Sequence, residues 1–192
     1  MAKTPKQKLA EALKALKRLQ DKHRGVVESG DLAAAQRAIL VAEGFLRPVM
    51  KGWYICDHPR DREGDSTAWY ASFWSFLSGY LGKRFGKRYC LNAEASLLLH
   101  THSTVVPRQV TVIAREGGTS VLGLLHDTSL LIYADKVPRN RVDIHGLQAL
   151  TLGETLCKLG PQSFRNNPRE TEIALKLIRD PGELLTVLLA GE

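Results

Sequence analysis

The sequence predicts an α+β fold, and three observations lead there. Leucines recur at helical spacing near the start. β-branched runs fill the middle, and helical patterns return at the end. In the stretch LVAEGFLRPVMKGWYIC, Leu40 to Cys56, a helix ends at a glycine and passes straight into a basic hairpin. The 192 residues and the 44% apolar content suffice for a real core. They are divided by a polar stretch carrying Pro and Gly, Asp57 to Ser66. This predicts two parts: residues 1–60 as two helices and a two-stranded hairpin, and residues 66–192 as a mixed α/β unit with a small sheet covered by helices.

The elements follow in order. From Thr4 to about His23, Leu9, Leu13, Leu16 and Leu19 make one helical stripe, with Thr4 as N-cap and Pro5 at the first helical position. The segment GVVESGDL is a short extended piece. A second helix runs from Asp31 to a C′ glycine at Gly44, with Leu32, Ala35, Ile39 and Ala42 inward and Gln36, Arg37 and Glu43 more exposed. The hairpin FLRPV–Lys51-Gly52–WYIC comes next. Trp69, Phe73, Phe76, Leu77 and Tyr80 mark an apolar helix, whose stripe is read as core, the alternative being a partner-binding face. YCL is a short strand, and Asn92 caps the helix that follows. RQVTVIA, TSVLGLL and SLLIYAD read as strands. A helix starts near Thr151. PRETEIALKLIRD and PGELLTVLLAG close the chain as helices, parted at Asp180-Pro181-Gly182.

The net charge of +7 and pI of about 9.5 favour a polyanionic partner. The excess is concentrated: residues 1–24 hold eight Lys/Arg against Glu11 and Asp21, and residues 67–116 hold six against Glu94 and Glu116. Three scattered cysteines, Cys56, Cys90 and Cys157, match neither a disulfide framework nor a zinc site and fit a reducing cytoplasm. No apolar run is long enough to span a bilayer, so no membrane partner is expected.

A helix, a glycine and a basic hairpin in succession form the tail of a winged helix-turn-helix. There the helix enters the major groove and the hairpin reaches the phosphates beside it. A conventional helix-turn-helix has a distinct middle helix. Here only ESGDL is available for it, so it must be very short or merged. The residues Gly25, Asp31-Leu32, Leu40, Gly44, Leu46, Arg47, Gly52 and Tyr54 resemble the N-terminal module of the AbiEi-like antitoxins of type IV toxin–antitoxin systems. LNAEASLLLHTHSTVVPRQVTVI is similar to that family's second block, and LTLGETLCKLG to its threonine-led helix, so the resemblance covers roughly residues 4–180. It implies a winged-helix DNA-binding domain over 1–60 and an antitoxin effector-like domain over 66–192. It also implies a repressor that binds its own operator and restrains a co-encoded toxin without a stable complex. Similar modules precede Fic-type AMP-transferase domains. The alternative is therefore an interaction module that regulates such an enzyme without touching DNA.

Gln36 and Arg37 are the candidate base readers, since Gln suits adenine and Arg suits guanine. Arg47 and Lys51 on the hairpin, and Lys14, Lys17 and Arg18 on the first helix, are candidate phosphate contacts. The alternative for the hairpin is a plain β-hairpin closing a small domain, with Arg47 and Lys51 as solvent-face charges, and for the first helix a solvated outward face. Lys83, Arg84, Lys87 and Arg88 in GKRFGKRY form a possible second basic patch, the alternative being a solvated loop complementing a helix C-terminus. No catalytic constellation stands out, and no cofactor is implied. His100 and His102 with Glu94 lack a third ligand at a known spacing, so no metal site is expected.

Overall fold

The computed structural model describes residues 4–21, 25–59 and 64–190. Its described elements are mixed α and β, with eight helices and nine strands in three small sheets. The chain divides into two compact units, one of residues 1–79 with 124–126, the other of 80–123 with 127–192. The division falls inside a helix rather than in the polar stretch after Cys56. Of that stretch, residues 60–63 lie outside the described residues, as do His23, Lys22 and Arg24 at the expected end of the first helix.

The first unit opens with α1 (Pro5–Gln20), started by a capping box in which Thr4 and Gln7 satisfy each other's backbone N–H. Its Ala12 and Leu16 are buried. The expected extended piece is a true strand, β1 (Val26–Glu28). Then come α2 (Ala34–Ala42), β2 (Leu46–Met50) and β3 (Trp53–Cys56). The hairpin is thus two strands of a three-stranded antiparallel sheet ordered β1-β3-β2. Between β1 and α2 the chain makes a turn and no middle helix.

Register sorts this sheet into two faces, because side chains alternate along a strand. Val27 stands opposite Tyr54 and Leu46 opposite Cys56. These four join Ala12, Leu16, Leu32 and Leu40 in the core beneath α1 and α2. Trp53 and Ile55 point to the other face. There Trp53 meets Phe76 of α3 (Thr67–Phe85) edge to face, ring centroids 5.8 Å apart. The aromatic stripe is core as expected: Trp69, Phe73 and Phe76 are fully buried. Trp69, Phe73, Phe76 and Leu77 belong to the first unit, where Phe76 covers the back of the hairpin sheet, while Tyr80 opens the second. That is why the division lies within α3.

The second unit holds β4 (Tyr89–Leu91), α4 (Ala93–His100), β5 (Gln109–Ala114), β6 (Ser120–Gly123) and β7 (Ser129–Ala134). These strands make a sheet ordered β4-β5-β7-β6, in which β5 and β7 run parallel and the other pairs antiparallel. Two strands escaped the sequence reading, β8 (Arg141–Ile144) and β9 (Leu147–Leu150). They form a hairpin turned at His145-Gly146, both with positive φ (53° and 79°). β9 lies against β4 and α4, tied by Ser96, whose Oγ donates to Leu91 O and accepts from Leu150 N–H. The helices α5 (Leu152–Lys158), the unforeseen α6 (Pro161–Asn166), α7 (Pro168–Leu177) and α8 (Pro181–Ala190) complete the chain. Leu97, Leu156, Leu159 and Ala174 form the core between them. Among the described residues no helix is long and apolar enough to cross a membrane.

Candidate nucleic-acid interface

The passage from α2 into the hairpin is set by backbone chemistry. Phe45 N–H bonds Leu40 O at 2.8 Å and Gly44 N–H bonds Val41 O at 3.1 Å, with Gly44 at φ +75°. This is a Schellman ending, and Gly44 is its C′ residue. Phe45 then packs on the Leu40 cluster, fixing the direction in which β2 leaves the helix. At the far end Lys51 and Gly52 form the two-residue turn between Met50 and Trp53, with Gly52 at φ +85°. Lys51 is exposed at that tip. Ser29 N–H donates to Gly52 O at 2.9 Å, so the turn before α2 is pinned to the hairpin tip.

The sequence-predicted residues divide by what their side chains do. Arg37 is occupied in holding the turn before α2. Its Nη1 donates to Ser29 O at 2.5 Å and Leu32 O at 3.4 Å, and its guanidinium lies 5.7 Å from the Tyr54 ring centroid. Asp31 closes the same turn by accepting from Glu28 N–H at 2.8 Å. Gln36, the neighbouring base-reader candidate, is half-buried.

Arg47 differs from the expectation of a solvent-facing wing cation. Its Nε meets Asp57 Oδ2 at 2.5 Å, and its Nη1 donates to Asp65 O at 2.7 Å and lies 3.3 Å from His126 Nε2. The Asp57 side chain is only 6% exposed. The charge of Arg47 is therefore spent inside the first unit, because it stands opposite Ile55 on the sheet face turned away from α1 and α2. Asp65 also accepts from Thr67 N–H at 2.8 Å at the start of α3, and that bond holds its carboxyl below the ordinary range. On α1, Lys14, Lys17 and Arg18 are exposed. Helical periodicity sets them away from Ala12 and Leu16. Lys17 and Arg18 occupy the last turn, where cations complement the helix dipole.

The second basic patch lies in the second unit. The helix continues through it to Phe85, so Lys83 and Arg84 sit in its last turn rather than in a loop. Arg84 Nη1 donates to Tyr80 Oη at 2.6 Å, and its guanidinium lies 5.0 Å from the Phe85 ring centroid. Arg88 pairs loosely with Glu116 at 3.5 Å, while Lys87 is exposed. Arg88 also borders a cleft shared with Arg115, Lys136, Arg139 and Arg141. Only the fold brings Lys136, Arg139 and Arg141 beside Arg88 and Arg115, which are distant in the sequence. The one local signal was three cations in the six residues Lys136 to Arg141.

The histidines go separate ways: His100 Nε2 meets Leu150 O at 2.8 Å, while His102 lies beside His145, ring centroids 5.7 Å apart. Among the described residues no group of three or more His, Cys, Asp or Glu is placed to hold a metal ion. Cys90 is fully buried, and burial pushes its thiol up to about 11. No protein-family model matches this chain, and no curated protein matches it.

Proposed function

We propose that the first unit is a winged helix-turn-helix and that the protein is a DNA-binding transcriptional repressor of the AbiEi-like antitoxin type. In this reading it acts on the operator of its own operon and restrains a co-encoded toxin. The observation that carries the reading is the junction of α2 and the hairpin. A Schellman ending at Gly44 feeds β2 directly, and Lys51 stands exposed at the tip. In such a module α2 enters the major groove and the tip reaches phosphates. Gln36 is the base reader, Lys51 the wing contact, and Lys14, Lys17 and Arg18 supply further phosphate contacts. Arg37 acts by positioning the turn before α2, and Arg47 by holding the back of the sheet.

The test is a competition titration of its promoter duplex against a scrambled duplex. Several phosphate contacts should weaken binding roughly tenfold or more between about 50 and 200 mM salt. Lys51→Ala should weaken both duplexes alike. Gln36→Ala should cost about 1–3 kcal/mol on the promoter alone. A flat salt response, or no binding to the promoter, removes the repressor reading. The exposed Leu185, Leu188 and Leu189 of α8 favour a second one, an interaction module that regulates a Fic-type enzyme.

A further inference from the structure

The second unit carries a cleft of about 760 Å³ walled by cations. Arg115 follows the last residue of β5, and Lys136 stands two residues beyond the end of β7. The two strands are parallel and end in register, Ala114 opposite Ala134, so both cations leave from the carboxyl ends of neighbouring parallel strands. Ligands of open α/β sheets bind in that position. Arg139 stands two residues before β8 and Arg141 opens that strand, in the same stretch as Lys136, while Arg88 comes from the turn before β4. Five cations thus converge from three segments.

Little in the wall offsets them. Among the described residues Glu116 is the one carboxylate lining the cleft, and it lies 3.5 Å from Arg88. The neighbouring Asp135 accepts from Lys136 N–H at 2.6 Å. Arg141 spends Nη1 on Pro138 O at 2.7 Å, while its Nε is buried with no hydrogen-bond partner among the described residues. Phe85 and Val137 add an apolar floor. Such crowding of like charges is unfavourable in the empty protein, and a compact multivalent anion relieves it.

We infer that this cleft is a binding site for a small-molecule polyphosphate, the di- or triphosphate group of a nucleotide. Its size is that of a small-ligand pocket, which spans about 300–1,000 Å³. A nucleic-acid backbone strings single charges along a line. A triphosphate gathers several within one such cleft, and convergent arginines match its oxygens bidentately. The inference is independent of DNA binding by the first unit.

Calorimetric titration of the full chain with ATP, GTP, inorganic tripolyphosphate and AMP tests it. Saturable binding of the first three at one site is expected, with AMP about tenfold weaker or worse because it offers one phosphate. Tripolyphosphate equal to ATP would mean that the site reads phosphates alone. Tighter ATP would mean that the nucleoside contributes. The double variant Arg115→Ala/Arg139→Ala should lose about tenfold or more in affinity. Both side chains are exposed, so its melting temperature without ligand should match wild type. Lys87→Ala, outside the lining, should bind normally. No binding of tripolyphosphate or either nucleotide, or equal affinity in the double variant, overturns the site. Weakened duplex binding in Lys51→Ala with polyphosphate binding intact would separate the two surfaces.

Discussion

At the scale of single residues, charge count and charge availability part company. Arg47 looks like a wing cation in the sequence, yet its guanidinium bonds Asp57 and Asp65 O and lies against His126. Removing it would leave the nearly buried Asp57 carboxylate without its cation, its Oδ1 still accepting from His58 N–H at 2.9 Å. Arg47→Ala should therefore destabilise the protein by about 2 kcal/mol, the scale of hydrogen bonds to charged groups. A denaturant melt checks this. Lys51→Ala, at the exposed tip, should stay within about 0.5 kcal/mol of wild type. Cys90 gives a second prediction, with its sign fixed by burial. Its folded pKa of about 11 lies above the ordinary 9.0, so folding favours the protonated thiol. Its contribution is complete below pH 9. It fades as pH rises toward 11, because the unfolded chain ionises first. Burial also raises Tyr89 beside it, so the comparison must be with Cys90→Ala. Wild type should lose stability more steeply than that variant between pH 9 and 11. Parallel curves would contradict the assignment.

At the scale of elements, glycine shows how packing overrules propensity. Gly79 lies within α3, where Ala is ordinarily better by about 0.5–1 kcal/mol. A Cβ there would stand 3.0 and 3.2 Å from two atoms of the Trp53 ring. That ring is buried and held edge-on by Phe76, so it has little room to give. Gly79→Ala should therefore lower the melting temperature, where an open helix site would raise it. Gly82, three residues on, with nothing within 4 Å, is the matched control. What the sequence revealed of these elements follows the same logic. The Gly44 ending of α2, the Lys51-Gly52 turn and the α3 aromatic stripe were legible because a glycine or a helical period marked each. The β8–β9 hairpin was not. β9 is buried at all four positions, so no alternation betrays a strand, and its turn uses His145 where Asn or Asp would be the signal. The engagement of Arg37 and Arg47 was equally invisible, since their partners lie 5 to 18 positions away or, for His126, 79.

At the scale of the molecule, the sheet β1-β3-β2 needs cover on both faces. α1 and α2 cover one, and the first four turns of α3 supply the other through Phe76 against Trp53. The sequence placed a domain boundary near residue 60 because the charged stretch there reads as a linker. That cut leaves Trp53 and Ile55 facing water. Trp53 is 7% exposed and Ile55 fully buried in the intact chain. Losing the burial of a tryptophan costs about 3–5 kcal/mol, comparable with the whole stability of a sixty-residue domain. A fragment of residues 1–79 should accordingly unfold in a cooperative transition. Residues 1–60 should melt at much lower denaturant or show no transition, and should bind a hydrophobic dye. Circular dichroism of the two fragments in a urea series checks this. Equal midpoints would mean that α1, α2 and the hairpin hold themselves together and that α3 only rests on them. If 1–79 folds, it is also a piece on which the DNA reading can be tested without the polyphosphate cleft. If the proposed DNA binding holds, duplex binding by that piece should retain the contributions of Lys14, Lys17, Arg18 and Lys51 in full.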